Sequence, residues 1–517
     1  RRSLITGRVS EPYRRTAGAL ALSTALIWLV HPLQTQCVTY IIQRAELLGA
    51  FFYLLTLTFF IRGHDSGKFG AAWYAVAVLS SGLGMASKEI MVTAPFMVLM
   101  YDRIFLAGSW RDVWSRRWIV YAGLFSTWLV LLGLLWTKPR TLVGYSMPDL
   151  TFWDYLKTQP GVILHYLRLS FWPHPLVLEY YWVIANGFRE VVLPTFAVLG
   201  LMCLTLRKIV RNPAHGFIGA WFFIHLAPTS SVVPLGELLA ERRMYLPLAA
   251  VVFLTVIAAR RFLGFLKIAN TGLSRLLSGG FVIVVALALG TVTFHHNKVY
   301  SSEAAVWRDV LAKQTALKPG VTRPQPYNPT ANYNLAYALA EEGKLGEAME
   351  HYRKVIELQP EFIDARNNLA QLLIRLGRVD EAIEQYEAAL NVDPRSAAIH
   401  LNLGAALARL GRLEQAADHY RRAIQIDGDA GDARVNLGNA LLKLGRTAEA
   451  ADVFQEALER DAALTEARVG LGVAYLELGE IKRAVRNLKT ATEENPNSAH
   501  AQYNFGNALA MAGFARE

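Results

Sequence analysis

Apolar and polar positions divide the chain into two parts. Between residues 18 and 296, apolar runs of roughly 17–22 residues recur, a length that crosses a bilayer core of about 30 Å. From residue 329 onwards the pattern becomes a 34-residue repeat. The first part therefore predicts a polytopic helical membrane domain. Nine spans are expected, near residues 18–36, 47–61, 70–86, 90–106, 118–136, 192–206, 217–234, 244–259 and 278–294.

Lysine and arginine residues orient these predicted spans. If the N-terminus is cytoplasmic, the loops on that side carry eighteen of them, against nine in the opposite loops between the spans. An excess of positive residues marks the cytoplasmic side. The segment "VILHYLRLSFWPHP" is shorter and amphipathic, which favours an interfacial or re-entrant helix. An odd number of crossings then puts everything after residue 295 outside the cytoplasm.

The second part carries glycines at one fixed interval. They are 34 residues apart, which is the period of the tetratricopeptide repeat, a pair of antiparallel helices. Leucines eight positions before each glycine and alanines five positions after it keep the same phase. The glycines are Gly343, Gly377, Gly411, Gly445, Gly479 and Gly513. The sequence thus predicts an α-solenoid and an all-α protein.

The predicted domain boundaries follow from these two patterns. The membrane domain covers residues 1–296, a linker with one amphipathic helix covers 297–328, and the solenoid covers 329–517. The five full repeats are 329–362, 363–396, 397–430, 431–464 and 465–498, followed by a partial sixth at 499–517. Because a solenoid needs a polar terminal cap, we expect the natural chain to extend beyond Glu517. The opening without methionine likewise suggests a segment before Arg1.

A ladder of asparagines marks the first helix of the repeats. An asparagine amide both donates and accepts, so a row of them can bind an extended peptide backbone with little regard for its sequence. The alternative is that these side chains only contact neighbouring helices. The ladder, interrupted by Gly470, consists of Asn334, Asn368, Asn402, Asn436 and Asn504.

Charge and composition exclude several classes of function. Residues 1–328 hold 32 Lys and Arg against 14 Asp and Glu, whereas residues 329–517 hold 21 against 28. The basic excess thus belongs to the membrane part, which argues against a nucleic-acid partner. Cys37 and Cys203 cannot form a disulfide scaffold. The histidines lack metal-ligand spacing, so no metal site is predicted.

Ionisable residues from separate loops fall near the predicted outer membrane boundary. Charge there is costly unless it is paired or binds something. A lipid carrier meets this need, because its phosphate requires cations and its sugar faces outward, where a carboxylate can assist proton transfer. The predicted phosphate ligands are Lys88, Arg242, Arg243 and Arg44, and the candidate catalytic or orienting carboxylates are Glu46 and Glu89.

Each of these residues also has a structural alternative. Arg44 with Glu46, and Lys88 with Glu89, could be ion pairs that fix helix ends, although adjacent helix positions face about 100° apart. Arg242 and Arg243 could reach the interface as snorkelling side chains. Asp102 and Arg103 are expected to form a structural pair or cap, and His31 before Pro32 to end a helix.

Three segments carry a resemblance to a known family. "HPLQTQCVTYIIQRAELLGAFFYLLTL", "GMASKEIMVTAPFMVLMYDR" and "ELLAERRMYLPLA", followed by tetratricopeptide repeats, resemble the transmembrane and tetratricopeptide-repeat protein O-mannosyltransferases. The resemblance implies a GT-C-like membrane fold, a sugar donor on polyprenyl phosphate and an active site on the non-cytoplasmic side. Two departures stand out. Gln36 occupies a position where relatives usually have glutamate, and the family's presumed catalytic acid would lie upstream of Arg1.

Together these features predict a membrane glycosyltransferase, placed in the bacterial inner membrane with its repeats outside the cytoplasm. It would move mannose or a similar sugar from the lipid carrier to Ser/Thr hydroxyls, and the repeats would bind the acceptor polypeptide. Membrane lipid is a further expected partner; no cofactor is identified from the sequence, and the metal requirement is left open. Two alternatives remain open: a non-catalytic membrane-anchored repeat scaffold for an envelope or secretion complex, and a partner of lipid-linked oligosaccharide ligation or flipping.

Overall fold

The chain forms two compact units, 1–326 and 327–517, each of which is described here by itself. The computed structural model describes residues 16–39, 44–137, 151–180, 182, 184–230, 237–265, 271–314 and 328–513. All regular secondary structure in these ranges is helical, which confirms the all-α prediction.

The first unit contains thirteen α-helices within the described residues. They are α1 Ala17–Val30, α2 Thr35–Thr39, α3 Arg44–Asp65, α4 Gly70–Ser87, α5 Ala94–Tyr101, α6 Trp110–Ser126, α7 Trp128–Thr137, α8 Phe152–Phe171, α9 Phe188–Arg211, α10 Pro213–Leu226, α11 Pro247–Phe265, α12 Thr271–Asn297 and α13 Glu303–Gln314. Short helical turns at Glu89–Thr93 and Glu241–Met244 lie between them. These two turns carry predicted site residues.

Each predicted span overlaps a helix, but the predicted number of crossings is not confirmed. In the described ranges five helices are long and apolar enough to cross a membrane: Arg44–Asp65, Gly67–Ser87, Trp110–Leu134, Phe188–Arg211 and Gly279–Ser301. A sixth is possible if Ala17–Val30 and Pro32–Thr39, which meet at a 60° bend, form one broken span. At about 1.5 Å per residue, the eight residues of α5 and the fourteen of α10 fall short of a full crossing. Nine crossings therefore stay a prediction.

The segment predicted to be interfacial is part of a longer helix. "VILHYLRLSF" forms the second half of α8, and "WPHP" begins the loop that follows it. One face of α8 is buried through Tyr155, Val162, Tyr166 and Leu169. This helix is not among the five candidate spans of the described residues.

Helices α3 and α4 pack against each other and build the core that supports the site. Ala50 and Tyr53 from α3 meet Met85 from α4, Met91 from the turn after α4, and Leu246 just before α11. All five side chains are almost completely buried. The ends of three distant segments therefore converge on one apolar cluster, and charged residues one turn away are brought together with them.

Asp102 has the structural role that the sequence suggested, although its partner is different. It is fully buried and forms an ion pair with Arg117, and it also accepts a hydrogen bond from the Tyr121 hydroxyl at 2.6 Å. Arg117 contacts His64 Nδ1 at 2.8 Å. The network ties α3 to α6, and Arg117 takes the place that the prediction gave to Arg103.

The second unit consists of the predicted helix pairs. The pairs are α14 Pro329–Glu341 with α15 Leu345–Leu358, α16 Ile363–Arg375 with α17 Val379–Val392, α18 Ala397–Arg409 with α19 Leu413–Ile426, α20 Gly431–Lys443 with α21 Thr447–Arg460, and α22 Thr465–Glu477 with α23 Ile481–Glu494. Helix α24 Ala499–Met511 follows them. Each of the six periodic glycines has φ between 74° and 85°. L-residues avoid this left-handed region, which explains why glycine recurs there.

A second periodic feature of the repeats was not predicted. In each case a polar side chain near the start of the first helix contacts a backbone carbonyl six positions earlier, in the loop between repeats. The side chains are Arg366, His400, Arg434, Arg468 and Gln502. Because arginine, histidine and glutamine all occur at this position, the sequence pattern alone does not reveal it.

Candidate functional site

Glu46 lies at the centre of a group of charges from three separate segments. Its Oε1 atom lies 3.0 Å from Lys88 Nζ and 3.8 Å from Arg242 Nε. Arg242 Nη2 in turn lies 2.7 Å from Glu237 Oε2. We call Glu46, Lys88, Glu237 and Arg242 the Glu46 cluster. The structure therefore brings together three of the predicted site residues, plus Glu237 from the same loop as Arg242.

Local geometry explains how Lys88 reaches Glu46. Lys88 ends helix α4 with extended dihedrals (φ −156°, ψ 140°), which turns its side chain across α3. A Cβ atom at Gly49 would lie 2.8 Å from Lys88 Cβ, so only glycine at position 49 leaves room for the lysine stem. Glu89 Oε1 lies 4.0 Å from Lys88 Nζ, a longer separation than that to Glu46. The predicted pairing of Lys88 with Glu89 is thus secondary to its pairing with Glu46.

Gln36 joins two loops beside this cluster. Its Oε1 accepts a hydrogen bond from the Arg242 backbone N–H at 2.9 Å, and its Nε2 donates to the Leu178 carbonyl at 2.7 Å. The side chain is fully buried. An ionised glutamate, expected at this position from the family resemblance, has no N–H to donate. Glutamine therefore suits the two bonds that this chain makes.

Arg243 and Arg44 lie outside the cluster, unlike Arg242. The Arg243 guanidinium is buried and donates to the backbone carbonyls of Thr229, Leu238 and Glu237 at 3.0, 3.3 and 2.6 Å. It holds its own loop in place, which corrects the predicted phosphate contact. Arg44 is exposed at the start of α3 and forms no ion pair with a described residue. Glu46 pairs with Lys88 and Arg242 rather than with Arg44.

His31 has the helix-end role that the sequence suggested. Its Nδ1 accepts a hydrogen bond from the Leu33 backbone N–H at 3.2 Å and so caps the turn Pro32–Gln34. Its Nε2 lies 3.1 Å from the Ser170 carbonyl, which ties this turn to the end of α8. Among the described residues, no three His, Cys, Asp or Glu side chains gather to hold a metal ion.

Glu241 fixes the loop that follows α8. Its Oε1 accepts hydrogen bonds from the Val177 backbone N–H and from the Tyr180 hydroxyl, both at 2.6 Å. Complete burial raises the pKa of Glu241 to about 8. At neutral pH the carboxyl is therefore mainly protonated, and it connects the turn Glu241–Met244 to the loop of residues 176–180 without adding net charge there.

Glu179 lies within this fixed loop and was not among the predicted site residues. It is half-buried and makes no hydrogen bond or ion pair with a described residue. Burial, and next the negative charge of Glu237, raise the pKa of Glu179 to about 7, and Arg242 opposes the shift. The one signal in the sequence is an isolated glutamate in the apolar run "LVLEYYW", directly after "FWPHP".

An apolar cavity of about 370 Å³ adjoins the loop that carries Arg242. Its wall includes Trp28, Leu54, Trp221 and Leu246. The indole N–H of Trp28 donates to the Tyr245 carbonyl at 2.8 Å, and that of Trp221 donates to the Leu246 carbonyl at 2.9 Å. The cavity continues between α1, α10 and α11 through Ala25, Ile218, Ala249, Phe253 and Ile257. Leu246 in the cavity wall thus lies four residues after Arg242 of the Glu46 cluster.

The five predicted peptide-binding asparagines are all half-buried, but they differ in their bonds. Asn368 Nδ2 donates to the Tyr333 and Tyr352 hydroxyls at 3.0 and 3.3 Å. The other observed bonds are those of Asn402 to Asn367 Oδ1 and of Asn504 to the His500 carbonyl. Asn334 and Asn436 make no side-chain hydrogen bond with a described residue. For Asn368 and Asn402 the neighbouring-helix alternative therefore holds at least in part, and peptide binding stays a prediction.

Gly470 interrupts the ladder for a steric reason. A Cβ atom there would lie 2.4 Å from Phe454 Cζ, and one at Gly438 would lie 2.5 Å from the same atom. The Phe454 ring is thus enclosed by two glycines and has no room to retreat. An asparagine at position 470 would require the ring to move.

Comparisons with known proteins agree with both parts of the sequence analysis. Tetratricopeptide-repeat families match residues 336–377, 367–431 and 441–511. The chain is 24% identical to human protein O-mannosyl-transferase TMTC1 over 67% of this chain and 43% of that protein. It is 23% identical to human protein O-mannosyl-transferase TMTC4 over 64% of this chain and 48% of that protein.

Solved structures match part of the chain. The tetratricopeptide-repeat protein YrrB is 21% identical with a TM-score of 0.33, over 39% of this chain and 97% of that chain. MamA is 24% identical with a TM-score of 0.31, over 32% of this chain and 96% of that chain. The chain spans about half the length of the curated relatives that it matches. The resemblance is nevertheless confirmed: this chain is similar in sequence to the protein O-mannosyl-transferases TMTC1 and TMTC4.

Proposed function

We propose that this protein transfers mannose or a similar sugar from a polyprenyl-phosphate carrier to Ser/Thr hydroxyls of proteins. The observation that carries the proposal is the segment of residues 242–246, which contributes Arg242 to the Glu46 cluster and Leu246 to the wall of the apolar cavity. A lipid-linked sugar has a charged and an apolar part as well, because an anionic phosphate lies at one end of its apolar chain. The relatives' name, protein O-mannosyl-transferase, supports the same class of reaction.

Lys88 and Arg242 are the cations that we assign to the donor phosphate. The Glu237 side chain is 43% exposed, so its ion pair with Arg242 can be exchanged at small cost. A phosphate can then take its place at Arg242 Nη2. The Glu46 side chain is only 9% exposed and contacts both cations, so it orients them rather than reacting itself. Glu89 supplies a second carboxylate beside Lys88.

The repeats would bind the acceptor polypeptide. Asn334 and Asn436 have amide groups that a peptide backbone can use, since described residues do not occupy them. We place the N-terminus in the cytoplasm and both the repeats and the Glu46 cluster on the opposite side, in a bacterial inner membrane. Labelling of single cysteines at Ser115 and Lys344 in intact cells tests this orientation. The Lys344 site should react with an impermeant reagent, and the Ser115 site should not.

The main experiment measures sugar transfer by the full-length protein in lipid nanodiscs. We expect Lys88→Ala and Arg242→Gln each to lower transfer from polyprenyl-phosphate mannose to a Ser/Thr peptide by a factor of ten or more, and to weaken binding of polyprenyl phosphate. Lys157→Ala is the matched control, because Lys157 pairs with Asp154 and Asn186 away from the cluster. Its activity should equal that of the wild type.

Two results would contradict the proposal. If Lys88→Ala unfolds most of the protein while the folded remainder keeps its affinity for polyprenyl phosphate, the lysine is structural. If the wild type binds acceptor protein but neither binds polyprenyl phosphate nor transfers sugar, the scaffold alternative is favoured.

A further inference from the structure

The loop after α8 carries one acidic residue, Glu179. We propose that Glu179 accepts the proton of the acceptor hydroxyl while the sugar is transferred. This inference rests on the proposed function, and it assigns a role in the described chain that the family resemblance placed upstream of Arg1. It is carried by how the loop is held and by what surrounds the carboxylate.

Three hydrogen bonds hold the residues on both sides of Glu179, through the backbone before it and a side chain after it. Before it, the Val177 N–H donates to Glu241 and the Leu178 carbonyl accepts from Gln36. After it, the Tyr180 hydroxyl donates to Glu241. The neighbouring residues are thus committed to holding the loop, whereas the Glu179 carboxylate has no hydrogen-bond or ion-pair partner among the described residues. A carboxylate on a loop that is held in this way, and that makes no bond to a described residue, is available to interact with a substrate.

Gln36 connects the loop of Glu179 to the segment of Arg242, which we assign to the donor phosphate. It does so by bonding to both Leu178 and Arg242. The charged groups that act on the Glu179 carboxylate are Glu237 and Arg242, two members of the Glu46 cluster. A hydroxyl near the sugar of a donor held at Arg242 would therefore meet the loop of Glu179.

Other titratable groups also face this loop. His165 from α8 packs its ring 5.7 Å from that of Tyr180 and 5.0 Å from that of Trp182, and Lys313 from α13 donates to the Leu176 carbonyl at 3.0 Å. The pKa of about 7 leaves Glu179 close to half ionised at neutral pH, which is favourable for a general base. The base form is lost as pH falls through that value.

The transfer step balances without a further reactant. The hydroxyl oxygen of the acceptor forms a bond to C1 of the sugar, and the bond from C1 to the phosphate oxygen breaks. The electron pair of that bond leaves with polyprenyl phosphate, held at Lys88 and Arg242. The hydroxyl proton passes to Glu179 and is later released to water.

The test compares Glu179→Gln and Glu179→Asp in the full-length protein. We expect Glu179→Gln to lower kcat by roughly 10²–10⁴-fold, with affinity for polyprenyl phosphate unchanged. Glu179→Asp should keep part of the activity, and the acidic limb of its pH–rate profile should move from that of the wild type. Glu190→Gln is the matched control, since Glu190 accepts from the Asn186 and Gly187 N–H groups and glutamine can do the same.

Three outcomes would overturn the inference, and they are distinguishable. Wild-type kcat and an unchanged acidic limb in Glu179→Gln would show that the carboxylate takes no proton. Loss of polyprenyl-phosphate affinity in proportion to rate would make Glu179 a positioning residue only. If the wild type itself neither binds polyprenyl phosphate nor transfers sugar, the proposed function fails as well. Should Glu179→Gln fold poorly, restoration of Glu179→Ala activity by formate gives the same answer.

Discussion

The exposed ion pairs of the repeats differ from the ion pairs around Glu46 in the first unit. In the repeats, ion pairs such as Arg378 with Glu381 and Arg446 with Glu449 join residues three positions apart on exposed helix surfaces. In the first unit, Glu46 meets Lys88 and Arg242 from distant segments and is nearly buried. Exposed local pairs contribute little to stability, whereas a buried charge is costly unless it is well paired. The charges around Glu46 are therefore the ones from which we infer a structural and chemical role.

The largest effect should come from a buried arginine of the first unit. Arg243→Met leaves three backbone carbonyls without their charged donor, which costs about 3 kcal/mol or more of unfolding free energy. Arg446→Met in the repeats should cause no measurable change, since that side chain is exposed. All twelve tryptophans lie between Trp28 and Trp307, so their fluorescence reports unfolding of the first unit alone. Equal destabilisation by both changes would remove the contrast between the units.

A smaller effect is expected when the asparagine ladder is completed. Gly470→Asn should lower the stability of the repeats by about 1–3 kcal/mol, because the new Cβ atom overlaps the Phe454 ring. Circular dichroism at 222 nm measures this change. Asn436→Ala is the matched control at the equivalent position and should have little effect. If Gly470→Asn is as stable as the wild type, the enclosure of Phe454 does not explain the break in the ladder.

The smallest effect concerns pH and the repeats. His400 Nδ1 lies 2.9 Å from His419 Nδ1, and burial lowers the pKa of both, that of His419 to about 4. A lowered histidine pKa contributes stability that is present above the ordinary value of about 6.5 and is lost as pH falls towards 4. The melting temperature of the repeats should therefore fall as the pH is lowered from about 6.5 to about 4.

The control for this effect comes from the repeats themselves. His419→Gln places at this position the residue that stands one repeat earlier, Gln385. Its melting temperature should depend less on pH than that of the wild type. The same pH dependence in both proteins would show that the histidine pair has no part in it.

The sequence predicted the repeats far better than the site, and the reason is physical. Each helix pair depends on contacts within about one 34-residue period, so glycines and small residues recur in phase. The partner of Lys88 depends on how α3 and α4 pack, and the pattern did not indicate Glu46 for that role. Arg242 and Arg243 are adjacent in the chain, yet one faces the cluster and the other faces backbone carbonyls.

Gln36 and Glu179 illustrate the same limit. Gln36 stood out only as a departure from relatives, and its two bonds became evident once Leu178 and Arg242 were seen on either side of it. Glu179 has no periodic or motif signal, because a single glutamate in an apolar run matches no repeat. Its distinguishing feature is the loop around it, which is held by Gln36 and Glu241 from distant parts of the chain.

The most direct test of the account is photo-crosslinking of a polyprenyl phosphate that carries a diazirine on its isoprenoid chain. With the full-length protein in nanodiscs, we expect crosslinks in the cavity wall, within Ala21–Trp28 and Leu246–Ile257. They should be lost when Lys88 and Arg242 are both replaced by glutamine. Crosslinks spread over exposed apolar helices such as Phe188–Arg211, unchanged in that double variant, would contradict the account.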